Sequence, residues 1–593
     1  MHPRPQLTRE NWQDLCGEWE FAHDDEDRGV LAGWWRGDEP FDRVITVPFP
    51  PESAASGVHD PAPHSIVWYR RKFTAPDADR LVLHFGAVDY RARVWLNGTE
   101  VASHVGGHAP FQVDITHALV DGDQVVVVRA EDRVDDLTQP RGKQYWEAAP
   151  DVIWYHRTTG IWQPVWLEPL PAAYLAELTW IPSAATRSIA LKARIDGPAT
   201  ALRVRFMFAG RVLADDRYAL DGPSLDRTIS LPRGDFRWSP ANPRLIDAEL
   251  TVLRGDEVVD EVRSYVGLRD VGVKDRRFTL NGERLFLRMV LAQGYWPESH
   301  LAAPSGDALR REVELIKELG FNGVRVHQKV EDPRFLYWCD RLGLVVWGEM
   351  ANAYEFSVDG AARFTAEWLE VVRRDVNHPS VVTWVPVNES WGTPALWADP
   401  RQRHFLESLY HLTHAVDGTR PVISNDGWEH ATSDIWTVHD YSPSAKDLTS
   451  RYGTAEAVDA MFGRDWPGVH RVHLGDPVRG EQPLMVTEFG GLTYTPEAGD
   501  RWFGYRTVAS AGDLLAAYER LVAALVASDQ VTGFCYTQLT DTEQEVNGLL
   551  TETREHKLDP AEVRRVNALP AASVPTERLA QLMDEARQRA RGD

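Results

Sequence analysis

From the amino terminus to about residue 170, short apolar runs alternate with polar and turn-forming residues. IVWYRRKF, LVLHFGAV, RARVWL, VASHVG and VVVVRAED are separated by Gly, Pro and Asp, the pattern of strands joined by tight connections. Asn97-Gly98 falls between two of these runs and predicts a hairpin, because both positions accept positive φ. A β-sandwich is therefore expected over 1–171. A second series, SIALKARI, ALRVRFMFAG, RTISLP and DAELTVLRG, has the spacing of a sandwich of roughly 100 residues. It predicts a smaller, immunoglobulin-like sandwich over 172–266.

After Asn281-Gly282 short apolar strands alternate with amphipathic helical stretches. LFLRMVL, FNGVRVH, LVVWGEM, VVTWVPV, PVIS, DIWTVHDY, PLMVTEF and TGFCYTQL are eight strand candidates, which fits a (β/α)8 barrel over 267–593. The short interval between PVIS and DIWTVHDY leaves little room for a helix. A doubly wound sheet is the competing fold, but no Gly-rich phosphate loop follows any strand. The tail, AQLMDEARQRARGD, predicts a short polar helix.

Composition narrows the function classes. A net charge of −24 over 593 residues repels a phosphate backbone, so nucleic acid is not an expected partner. The first twenty residues lack the apolar stretch of a secretory signal, and no run is long enough to span a bilayer. The expectation is a cytoplasmic protein with no membrane partner. Cys16, Cys339 and Cys535 are scattered and odd in number, which argues against disulfides and Cys-based metal sites. The 23 tryptophans suit core packing first and stacking on sugar rings second.

In a barrel the chemistry sits at the carboxyl ends of the strands. The fourth strand candidate ends in Asn388-Glu389-Ser390-Trp391 and the seventh in Thr487-Glu488-Phe489-Gly490-Gly491. Two carboxylic groups across a barrel mouth suit glycoside hydrolysis, one protonating the leaving oxygen and the other attacking the anomeric carbon. Neither metal nor cofactor is called for, and a carbohydrate is the expected partner, with homo-oligomerisation left open.

Longer segments carry a resemblance. LCGEWEF, VWLNGTEV, TTGIWQPVWLEP, WSPANPRL and VGLRD, followed by HPSVVTWVPVNESWG and PLMVTEFGG, are similar over nearly the whole chain to glycoside hydrolase family 2. That family carries a sugar-binding jelly roll, an immunoglobulin-like sandwich and a catalytic barrel, in this order. The resemblance implies Glu389 as general acid/base, Glu488 as nucleophile, Asn388 on the hydroxyl next to the anomeric carbon, and retention of configuration. It further implies Arg325 as the cation that keeps the nucleophile ionised, and His439 and Tyr441 as its neighbours. Glu389 is then expected to be protonated and Glu488 charged, with pKa values pushed apart.

Other positions rest on their place at strand ends. Gln293, Trp296, Glu349, Asn352, Trp391, Asn425, Asp426 and Trp428 are expected around the sugar. Where the family usually offers a Trp from the last strand, Tyr536 or Gln538 stands in that neighbourhood. The segment RVHQKVEDP also departs from the His-Tyr-Pro turn of pyranose-cleaving galactosidases. No Asn-x-Lys follows Glu488, so a glucuronide is not expected, for want of a cation. The sequence resembles β-galactosidase-like bacterial members, with a galactofuranoside- or arabinofuranoside-cleaving branch in competition. A transglycosidase and a catalytically silent carbohydrate-binding protein are the alternatives of other kinds. Asn97-Gly98-Thr99 and Asn388-Glu389-Ser390 are read as chance glycosylation matches, His470 and His473 as a poor metal signal, and Asp541, Glu543 and Glu545 as solvent-facing.

Overall fold

The structure is a computed structural model that describes residues 1–37, 40–475, 480–494 and 503–592. In the first sandwich a six-stranded antiparallel sheet runs in the order Arg43–Val47, Gly17–His23, Ile66–Thr74, Asp123–Glu131, Arg91–Leu96, Thr99–Val105. A four-stranded sheet built from Gln13–Asp14, Val165–Leu170, Arg80–Phe85 and Phe111–Asp114 covers it. Alternation places Trp19, Phe21, Tyr69 and Val94 of one sheet against Leu83, Phe85, Val165 and Leu167 of the other. The Asn97-Gly98 turn has φ of 49° and 80°, the paired positive values of the predicted hairpin.

The second sandwich packs Tyr174–Ser183, Ser188–Asp196 and Ser224–Ser230 against Arg211–Ala219, Ala201–Phe208, Ile246–Arg254 and Glu257–Val266. Leu7, from the amino-terminal segment, enters its core. Arg9 bridges the two sandwiches, bonding Glu168 and Asp260 at 2.8 Å each.

Seven parallel strands form the curled sheet of the barrel: Leu287–Ala292, Gly323–Val326, Val345–Glu349, Val381–Val385, Trp436–His439, Leu484–Gly490 and Val531–Thr537. PVIS, the fifth candidate, forms no ladder. Two isolated bridges, Trp384 with Val422 and Asn388 with Asp426, hold it to the fourth strand, Ile423 N donating to Trp384 O at 2.9 Å, while on the other side Asp434 N donates to Val422 O at 2.9 Å. A turn-rich loop joins it to the next strand, because the interval is far shorter than the roughly 30 residues of a βαβ unit. Met289, Leu291, Trp347, Met485 and Cys535 fill the interior. The alternate residues Val290, Val324, Val346, Val486 and Phe534 pack outward on the helices. Helices begin at Asp332-Pro333, Asp399-Pro400 and Asp559-Pro560, where the Asp side chain caps a free N–H and Pro lacks the one it would waste. The tail forms the helix Pro575–Gly592, with Asp593 outside the described residues. No described helix is long and apolar enough to cross a membrane.

The first sandwich docks on the mouth of the barrel. Arg141 N and Gly142 N donate to Asn352 O at 3.1 and 3.0 Å, and Tyr354 N donates to Leu137 O at 2.8 Å. On its flank His108 N donates to the buried Glu367 carboxyl at 2.7 Å. Burial raises the Glu367 pKa to about 8. An acid whose folded pKa lies above its unfolded one loses stability as pH rises from about 4.5 through 8. Wild type should therefore lose melting temperature relative to Glu367→Gln between pH 5 and 9, measured by scanning calorimetry. Parallel curves would remove Glu367 from the titration.

Candidate active site

The carboxyl ends of the strands converge on Arg325, which is wholly buried. Its Nε donates to Glu349 Oε2 at 2.6 Å and its Nη2 to Asn388 Oδ1 at 2.6 Å. Its Nη1 meets Asp426 Oδ2 at 2.6 Å and Glu488 Oε1 at 3.0 Å. Burial disfavours the guanidinium charge, yet Asp426, Glu349 and Glu488 outweigh it and hold the cation firmly charged. One side chain thus ties together the ends of strands two, three, four and seven and the bridged fifth segment.

Glu389 follows the fourth strand in a turn where Glu389 and Ser390 both have positive φ, 52° and 59°. Such values are uncommon for residues with a Cβ and are held here by surrounding structure. Ser390 N donates to Asn425 Oδ1 at 2.9 Å, and Ser390 Oγ donates to Glu429 Oε2 at 2.6 Å. The turn aims the Glu389 carboxylate at His439, whose Nδ1 lies 2.6 Å from Glu389 Oε1 and whose Nε2 lies 2.9 Å from Asp426 Oδ2. Burial lowers the basicity of His439, but Glu488, Asp426 and Glu389 overcome it and lift its pKa to about 10. Burial alone would raise Glu389; its bond to the imidazolium wins and holds it below the usual carboxylate range. The proton expected on Glu389 therefore rests on its partner. The direction is the same from both partners: His439 is favoured as the cation and Glu389 as the anion.

Glu488 sits across from Glu389, its strand pairing it beside His439. One oxygen of each carboxylate and a nitrogen of His439 lie within 4.8 Å of one another. Tyr441 Oη donates to Glu488 Oε2 at 2.6 Å. Burial and the neighbouring Glu488 charge push the phenol pKa well up, so Tyr441 stays a donor. Glu389, His439 and Glu488 have the spacing of a cation site; in this structure His439 is engaged by Glu389 and Asp426, and Glu488 by Arg325 and Tyr441. His156, His300 and Glu543 group similarly at the rim.

Several expected pocket residues prove to be supports. Glu349 is the counter-ion of Arg325 and accepts from Gln328 N at 3.0 Å. Asn352 accepts from Asn388 N at 2.8 Å and donates to Pro386 O at 3.0 Å. Asp426 and Asn425 are fully buried behind Arg325 and the Ser390 turn. Trp296 packs beneath Arg554, 3.7 Å from the guanidinium. Tyr536 lies outside the site, because strand alternation turns it away from the barrel interior onto Phe489 and Tyr518. Gln538 does reach the mouth, accepting from Gln293 Nε2 at 2.7 Å.

Trp428 stands half-buried at the rim, stacked on His470 with centroids 4.4 Å apart. Trp391 packs on Tyr354 and Trp154, with centroids 5.0 and 5.9 Å away, in an aromatic wall built by two domains. Tyr505 stacks on Tyr441 at 3.7 Å. The acidic group after the last strand does not face solvent as expected: Asp541 pairs with Lys557 at 2.6 Å, and Glu545 is buried, accepting from Tyr155 Oη and from Asn547 Nδ2. A buried cation also reaches the mouth, Lys143, from the loop of the first sandwich. Strand-end logic misses it because it belongs to another domain.

Comparison with known proteins agrees with this architecture. The family description "Glycosyl hydrolases family 2, sugar binding domain" matches residues 12–167, and "Glycosyl hydrolases family 2, TIM barrel domain" matches residues 271–491. A beta-glucuronidase of Paenibacillus borealis is 27% identical over 71% of this chain and 74% of its own length. That of Canis lupus familiaris is 25% identical over 83% of this chain and 79% of its own. A beta-galactosidase of Thermoanaerobacter pseudethanolicus is 25% identical over 60% of this chain and 48% of its own. Of a Formosa agariphila relative the chain spans about half the length, 52%. The fold of Bifidobacterium dentium beta-glucuronidase superposes with a TM-score of 0.77 at 20% identity, covering 95% of this chain and 98% of that one. With both family domains matched in order, and two carboxylates facing each other where that fold keeps its chemistry, the chain belongs to glycoside hydrolase family 2.

Proposed function

We propose that this glycoside hydrolase is a retaining exo-glycosidase that removes a neutral β-linked sugar of the galactosyl type, pyranose or furanose, or an arabinofuranosyl residue, from a non-reducing end. The approach of the two carboxylates carries the reading: oxygens within 4.8 Å suit the about 5–5.5 Å separation of retaining enzymes rather than the wider gap an inverting enzyme keeps for water. Glu488, held by Arg325 and Tyr441, attacks the anomeric carbon and forms a glycosyl-enzyme ester as the aglycone leaves. Glu389 delivers the proton to the departing oxygen, drawing on the proton it shares with His439, and then takes one from the water that cleaves the ester. Asn388 Nδ2, Gln328 Nε2 and Oε1, Gln538 Nε2 and Trp428 Nε1 are buried without partners among the described residues. Such atoms cost about 1–3 kcal/mol each when unsatisfied, and a ring with several hydroxyls supplies what they need.

The ring preference is the finer part of the proposal. Among the relatives glucuronidases predominate, but here Glu488 is followed by Phe-Gly-Gly-Leu-Thr-Tyr with no lysine. A cation is nonetheless at hand in the structure, Lys143 from the first sandwich, which acts on Glu389 and Glu545. The exclusion of a uronide now rests on Glu545, a carboxyl on which the Lys143 charge acts and to which a uronate has no proton to donate. Values of kcat/KM on matched nitrophenyl galactopyranoside, galactofuranoside, arabinofuranoside and glucuronide decide it, and preference for the glucuronide overturns the neutral-sugar reading. Products formed with added alcohol separate hydrolysis from transfer. A cytoplasmic location belongs to the same proposal and is read by cell fractionation.

The shared proton sets the pH dependence. His439, raised to about 10, keeps the pair protonated up to that region, so the basic limb of kcat/KM should lie far above an ordinary glutamate. His439→Gln leaves Glu389 alone with its proton and should shift that limb to lower pH. An unmoved limb would make His439 a packing residue only.

A further inference from the structure

Lys143 is 7% exposed, and among the described residues neither a hydrogen bond nor an ion pair reaches its ammonium group. Lysine is rarely this enclosed without a direct partner, and its ammonium group itself keeps access to solvent. The chain has built this position with care. Gly142, at φ 60°, lies so close to the end of strand two that a Cβ there would stand 2.2 Å from Gln328 O. The Arg141 and Gly142 amides bond Asn352 O, and Tyr155 N bonds Lys143 O at 2.9 Å. The loop is thus clamped from both sides at the level of the catalytic groups. The Lys143 charge acts on Glu389, on Glu545 and on His327, which face it from strand four, the loop after strand eight and strand two. Glu545 keeps an orientation fixed by Tyr155 Oη and by Asn547 Nδ2 at 3.0 Å.

We propose that Lys143, delivered by the first sandwich, is a specificity-determining residue of the barrel pocket, donating to one hydroxyl of the non-reducing sugar while Glu545 accepts from the same or the adjacent hydroxyl. This rests on the glycosidase reading and deepens it. A hydroxyl both accepts and donates, so it satisfies ammonium and carboxyl together. A uronate carboxylate only accepts, so it answers the ammonium but cannot donate to Glu545. The sandwich thereby contributes directly to recognition, and the pocket is complete only when the two domains are docked.

The test uses full-length enzyme, the nitrophenyl glycoside that wild type cleaves best, and its monodeoxy analogues. Lys143→Met should lower kcat/KM on the parent by about 10- to 100-fold, the weight of one hydrogen bond to a charged group. On one deoxy analogue, the one lacking the contacted hydroxyl, Lys143→Met and wild type should be alike. Glu545→Gln should show its own loss centred on that position or its neighbour. Lys143→Gln, which keeps an N–H donor, should recover part of the loss if the methionine variant is poorly folded by circular dichroism. An equal loss on every analogue would mean that Lys143 acts only through the charge of Glu389, and would overturn the proposal. So would a variant as active as wild type, or a loss confined to a glucuronide. If wild type cleaves no glycoside at all, the glycosidase reading falls first and this assignment with it.

Discussion

Replacing Glu488 with alanine should abolish turnover on every substrate, by several orders of magnitude, because the proposed covalent intermediate forms on its carboxylate. The fold should survive, since Glu488 sits at the open end of its strand and Arg325 keeps Glu349 and Asp426 as counter-ions. Added azide fits the space the carboxylate leaves and attacks from the same face. The expected product is a glycosyl azide with configuration inverted relative to the substrate, identified by NMR. Retained activity without azide would remove Glu488 from the reaction.

Glu389→Ala carries the second large effect, and its signature is selectivity rather than uniform loss. Without a proton donor, formation of the glycosyl-enzyme slows with the basicity of the leaving group. A dinitrophenyl glycoside should still form the intermediate, whereas an alkyl glycoside should lose about 10²–10⁴ in rate, the usual weight of general acid catalysis. Because hydrolysis of the ester also needs Glu389 as base, the intermediate should accumulate and appear as a burst of dinitrophenol. Azide then attacks it from the leaving-group side and gives a glycosyl azide of retained configuration. The opposite azide products of the two variants assign nucleophile and acid/base independently of rate. An equal slowing for all leaving groups would deny Glu389 the acid's role.

The sequence carried the local half of this protein. Periodicity two and the Asn97-Gly98 turn determined the sandwiches, because side chains on a strand alternate whatever lies beyond it. Alternating strands and helices determined the barrel, and the rule that chemistry collects at strand ends pointed to Glu389 and Glu488 before any distance was known. Each of these inferences depends on residues close together in the chain.

Tertiary structure decided the rest. PVIS reads as a strand, yet among the described residues it meets the fourth strand only at isolated bridges and the sixth at none, since so short a return to the next strand leaves no crossover to build a ladder on. Tyr536 stands one residue from Thr537, and only the direction of strand alternation, fixed by core packing, turns it out of the pocket. Glu349, Asn352 and Asp426 occupy strand ends like the proposed catalytic pair, but Glu349 and Asp426 are buried as counter-ions of Arg325 and Asn352 holds the Asn388 backbone. Proton placement inverted the expectation, because the pKa of Glu389 depends on His439, and that of His439 on three carboxylates from other strands. Lys143 lay beyond sequence logic altogether: a lysine in a loop of one domain comes to act on Glu389 and Glu545 only when docking carries it to the barrel of another.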